Sequence, residues 1–111
     1  MVMEGLISGK TRTYDEFKKQ IPPQVKPLFD EIRDYCFSLG ENVMEDVRMH
    51  RIVFCKSLTF RFFADIEPQR ETIIAKIRRD RKEPVREIEI SPGEQLEELK
   101  AAISDAYSNI R

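Results

Sequence analysis

Apolar residues recur at steps of three and four near both ends of the chain and at steps of two in between, so the pattern reads helix, sheet, helix. The first helical signal is "TYDEFKKQ", where Thr13 caps the start, Glu16 stands three positions later as in a capping box, and Tyr14 and Phe17 share a face. In "IPPQVKPLFDEIRDYCFSLG" the double proline ends one element and begins the next, with Pro27 close to the first turn. Val25, Leu28, Phe29, Ile32, Tyr35, Cys36 and Leu39 then form a continuous helical stripe that Gly40 stops.

From Val43 to Ile90 the period is two, which predicts an antiparallel meander. "VMEDVRMHRIVFC" reads as one bent strand or as two joined near Met49, followed by a tight turn through Lys56 and Ser57. In "LTFRFFADIE" strict alternation places Leu58, Phe60, Phe62, Ala64 and Ile66 on the core face, with Thr59, Arg61, Phe63 and Asp65 opposite. Phe54 and Phe63 are accordingly expected to face away from the main core. Pro68 breaks the ladder, "ETIIAKIRR" returns, and the charged turn "DRKEP" leads into "VREIEI".

"SPGEQLEELKAAISDAYSNI" predicts a final helix opened by Ser91 and Pro92, with Glu94 in its first turn and a stripe of Leu96, Leu99, Ile103, Ala106, Tyr107 and Ile110. The expected architecture is a two-layer α+β fold: an antiparallel meander of four or five strands packed against an N-terminal and a C-terminal helix. The 111 residues suit one domain, with positions 1–12 loosely attached because Gly5, Ser8 and Gly9 lower local order there.

Charge changes this picture in one region. The totals nearly cancel, 19 basic against 20 acidic residues, so no global attraction to nucleic acid exists. Locally, residues 70–86 carry seven basic side chains against three acidic, net +4, whereas residues 87–105 carry six acidic against one basic, net −5. No apolar run is long enough to span a bilayer, and the start "MVMEGLISGK" lacks the pattern of a signal peptide, so a soluble, cytoplasmic protein is expected. Cys36 and Cys55 are distant in sequence and set in apolar patterns, which predicts buried, reduced thiols.

The segments "PPQVKPLFDEIRDYCFSLGENV", "RIVFCKSLTFRFFADIEP" and "AISDAY" resemble an uncharacterised small α+β domain family, found alone or at the C-terminal end of restriction-endonuclease-like proteins and labelled as predicted transport proteins. The resemblance spans roughly residues 20–108. It implies a sheet-and-helix fold and the company of DNA-processing proteins, and it transfers no catalytic residue. Members often place a stretch containing glycine, histidine and tryptophan between the last strands; this chain passes directly from "IRRDRKEPVREIEI" to "SPGEQLEELK".

Reactive constellations are sparse. His50 is the single histidine and stands in no metal-ligand spacing, and no cofactor or metal is expected. "ADIEPQRETIIAK" offers Asp65, Glu67, Glu71 and Lys76, but not at the spacing of a nuclease strand. His50 and Cys55 point to opposite faces of a regular strand, which opposes a nucleophilic dyad, and no phosphate-cradling glycine loop occurs. Phe29, Tyr35, Phe60, Phe62 and Tyr107 are read as core packing in preference to a ligand cavity.

Two functional readings follow. The leading one is a non-catalytic interaction module that acts through its surfaces on a protein partner or by self-association as a homodimer. The other is a nucleic-acid-binding module using the basic turn: Lys76, Arg78, Arg79, Arg81, Lys82 and Arg86, with Arg61 and Phe63 adding a stacking surface.

Overall fold

A computed structural model describes residues 12–57 and 59–110. Leu58 and, but for Arg12, the expected loosely attached start lie outside the described residues. The described elements are α1 (Tyr14–Lys18), α2 (Lys26–Ser38), β1 (Val43–Val47), β2 (Ile52–Lys56), β3 (Arg61–Pro68), β4 (Ile73–Ile77), β5 (Arg86–Ile90) and α3 (Glu97–Asn109). The strands form one antiparallel sheet in the order β1-β2-β3-β4-β5. The meander expected from the alternation is present, and the ambiguous stretch around Met49 resolves into two strands joined by a turn in which the Arg48 amide donates to the Arg51 carbonyl at 2.8 Å.

The local signals act as their chemistry requires. Thr13 and Glu16 form a reciprocal capping box, typically worth about 1 kcal/mol to a helix start. Pro23 opens a 3₁₀ turn that runs directly into α2. α2 and α3 lie side by side on one sheet face, linked by Lys100 to Glu31 at 3.2 Å and sharing one core with the sheet. Fully buried Phe29, Ile32, Ile52, Phe54, Ile66, Ile73, Leu99 and Ile103 belong to that core. Arg33 fastens α2 to β1: its guanidinium makes paired hydrogen bonds to Glu45 at 2.8 and 2.9 Å while lying 3.9 Å over the Tyr14 ring.

Three expectations are corrected. Serine and proline at 91–92 do not start the last helix; Gly93 has φ +91°, outside the helical region, so 91–96 is a turn and α3 begins at Glu97. Gly40 is needed for space rather than for a left-handed cap, because a Cβ there would collide with the Tyr107 hydroxyl, which donates to the Asn42 side chain. The third correction lies in β3. Phe54 pairs with Ala64, yet the next residue, Cys55, pairs with Phe62, leaving Phe63 as the extra residue of a β-bulge.

The bulge reverses the expected faces of the aromatic run. Phe63 drops into the core, fully buried and edge-on to Tyr107 at 5.3 Å between ring centroids. Phe62 opposes Cys55 on the sheet face opposite α2 and α3, and Phe60 leaves the strand altogether. Phe54, expected to face away, is also fully buried in the core and meets Phe37 edge-on.

Candidate nucleic-acid interface

In a meander alternate connections share one end of the sheet. The β2–β3 loop therefore lies beside the long β4–β5 loop, and the C-terminal end of α3 reaches the same place. Two adjoining hollows result. The smaller, of about 130 Å³, is lined by Phe60, Arg61, Phe62, Arg78, Arg81 and Ile110. The larger, of about 240 Å³, is lined by Arg61, Asp80, Arg81, Asn109 and Ile110, so the two share a wall of two arginines and an isoleucine. Both fall below the usual 300–1,000 Å³ of a site enclosing a drug-sized molecule.

Phe60 is the most exposed large apolar side chain among the described residues, at 72%. It also has φ +58°, and its amide donates to the Lys56 carbonyl at 2.7 Å. The left-handed region costs a side-chain-bearing residue roughly 1–2 kcal/mol, and here it goes with a ring left mostly exposed. Phe62 is half-buried beside it, with the Arg78 guanidinium 5.5 Å over its ring. Arg78 continues to the Arg81 carbonyl at 3.0 Å, and its own amide bonds Phe63 at 3.0 Å, which ties the β4–β5 loop to β3.

The basic residues singled out by their charge separate into two groups. Arg79 turns toward α3 and pairs with Asp105 at 3.3 Å and Glu83 at 3.7 Å; Arg86 pairs with Glu98 at 2.6 Å. Lys76 stands on β4 between Asp65 of β3 and Glu87 of β5, in a row of mixed charge away from the two hollows. Arg61, Arg78, Arg81 and Lys82 form no ion pair among the described residues. Phe63, expected on the exposed face, is withdrawn from the surface by the bulge and is replaced there by Phe60 and Phe62.

Among known proteins the chain matches no family model, no curated protein and no solved structure. The resemblance to the small domain family therefore rests on the segments quoted for it, and the chemistry of the site has to be read from its own side chains.

Other reactive groups are dispersed. Cys36 is buried on α2, where desolvation pushes its thiol up to about 12; Cys55 is buried on the opposite sheet face, its thiol also raised by burial. His50 is exposed in the β1–β2 turn, at the far end of β2 from Cys55, so the pair forms no dyad. Burial likewise raises the Asp65 carboxyl against the opposing pull of Arg51 and Lys76. No cluster of metal-ligating residues occurs among the described residues.

Phe60, Phe62, Asp80 and Asn109 escape a reading of the sequence. For Phe62 the adjacent pair Phe62–Phe63 shows that one ring of the two leaves the core face, without showing which; Asp80 and Asn109 carry no such signal.

Proposed function

We propose that this protein is a binding module for single-stranded nucleic acid, acting without a reactive centre. The observation that carries the reading is Phe60: an exposed ring, held in a costly backbone conformation, directly beside Arg61, Arg78 and Arg81. Stacking on an aromatic face contributes about 1–3 kcal/mol per base and tolerates any sequence, while guanidinium groups meet the phosphates on either side. A duplex keeps its bases stacked internally and leaves those rings unused. The resemblance to a domain that accompanies restriction-endonuclease-like proteins points toward the same class of partner.

Self-association is the competing reading, and it has less support. The outer strands carry acids at their centres: Glu45 and Asp46 on β1, Glu87 and Glu89 on β5. On β5 pairing with its own copy sets like charges side by side, a recognised defence against edge-to-edge assembly; on β1 the acids are held by Arg33 and Arg48. The face opposite α2 and α3 presents Met44, Phe62 and Ile74, but Asp65, Lys76 and Glu87 cross it in one row.

The direct test titrates the protein into labelled single- and double-stranded oligonucleotides at low and moderate salt. Preferential single-strand binding that weakens with salt is expected; no binding even at low salt removes the proposal and returns attention to protein partners. A paired prediction concerns Phe60→Gly. Relief of backbone strain roughly offsets the added freedom of glycine in the unfolded chain, so stability should stay within about 0.5 kcal/mol of wild type. Affinity for the single strand should fall by about 10-fold through loss of the stacked ring. A loss of stability comparable to that of a core truncation shows instead that the ring is structural.

A further inference from the structure

We infer that the larger hollow receives the ribose of the bound strand, so that the site selects RNA over DNA by its 2′-hydroxyl; this rests on the single-strand reading above. The hollow contains two kinds of polar group. Arg61 and Arg81 bring only donors. Asp80 and Asn109 bring acceptors, and their other atoms are already committed. The Lys82 amide donates to Asp80 Oδ1 at 2.9 Å, which orients the carboxylate and leaves Oδ2 with no hydrogen-bond partner among the described residues. Asn109 Nδ2 donates to the Asp105 carbonyl at 2.7 Å and to Asp105 Oδ1 at 3.0 Å, so the amide's oxygen, not its nitrogen, remains available.

A strand lying with its base in the aromatic hollow and its phosphates on the guanidiniums presents its sugar to the adjoining space, because the two hollows share Arg61, Arg81 and Ile110. Acceptor oxygens repel a phosphate and call for a donor. The sugar of DNA has none within the chain, whereas the 2′-hydroxyl of RNA supplies one, and a carboxylate is a recurrent partner for ribose hydroxyls. Asp80 closes its turn through the Lys82 amide, and its carboxylate lines the hollow with Arg61 and Arg81 without forming an ion pair with either among the described residues.

The test compares three labelled strands of identical length built from uridine, 2′-deoxyuridine and 2′-O-methyluridine, which excludes the donors of a guanine edge. Wild type should bind the uridine strand about 10-fold more tightly than the other two. Asp80→Asn retains the turn's hydrogen bond through its amide oxygen and places a donor in the hollow; Asp80→Ala removes the acceptor outright. Both variants should bring the uridine strand down to the affinity of the deoxyuridine strand. Equal binding of all three strands by wild type overturns the inference while leaving single-strand binding standing. A ribose preference that survives in both variants also overturns it, and no binding of any strand overturns both.

Discussion

Charge reversal of Arg61 and Arg81 together, as R61E/R81E, is expected to lower single-strand affinity by on the order of 100-fold at low salt, because two charge-assisted contacts of about 1.5 kcal/mol each are lost and repulsion is added. These two arginines line both hollows, and neither is held by an acid among the described residues. Salt dependence gives the sharper reading. Each phosphate contact on a single strand contributes about −0.7 to the slope of log affinity against log salt, so three contacts, from Arg61, Arg78 and Arg81, give a slope of about −2. Wild type should thus lose roughly 20-fold between 50 and 200 mM salt. The double variant should retain about a third of the slope. Lys19→Glu with Arg70→Glu makes the control: both are exposed, and Arg70 lies in the β3–β4 turn at the opposite end of the sheet. If that control costs as much as R61E/R81E, binding is a diffuse response to net charge and the cleft is not its seat.

The second large effect distinguishes neighbouring phenylalanines. Phe63→Ala is expected to destabilise the fold by about 3–5 kcal/mol, as truncation of a buried aromatic does when a cavity is left behind. Phe62→Ala should cost about 1 kcal/mol, since its ring is half-exposed on the face opposite α2 and α3. With small domains holding roughly 5–15 kcal/mol in total, the first change removes a large share of the stability and the second does not. Urea unfolding of both variants measures the difference. The reverse order, with Phe62 the costly position, is what uninterrupted alternation requires, and it would place the bulge elsewhere. Binding should respond the other way round: Phe62→Ala weakens the single strand and Phe63→Leu leaves it unchanged.

Those two residues also mark where the sequence stops being legible. Helices and strands follow from periodicity and local chemistry, which is why the Thr13–Glu16 box, the stripe of α2 and an antiparallel meander of four or five strands could be anticipated. A bulge is a single-residue event whose place depends on the partner strand, and it puts the side chains before it out of step with those after it, so that Ala64 and Ile66 keep the expected face and Phe62 does not. Nothing within "RFF" distinguishes Phe62 from Phe63 until β2 is laid alongside. The arginines pose the same difficulty. Arg79 and Arg86 look as available as Arg78 and Arg81 along the chain, and only the folded α3 shows that Asp105 and Glu98 have taken them.

The order of strands carries a consequence for assembly of the molecule. Each strand pairs with its immediate successor, so the sheet can grow by local hairpins, which close quickly because short loops cost little entropy. Docking of α3 is different: its Lys100 reaches Glu31 across 69 positions, and Lys56 reaches the Ile110 carbonyl across 54. It is the distant closure in an otherwise neighbourly topology. Asn109 and Ile110 arrive with that helix, so the hollows are complete only once it is seated. On the single-strand reading proposed above, a strand bound there favours the seated helix, adding about 2.7 kcal/mol to the folded state at a hundred times its dissociation constant. Occupancy and completion of the fold are thereby one equilibrium, read from either end.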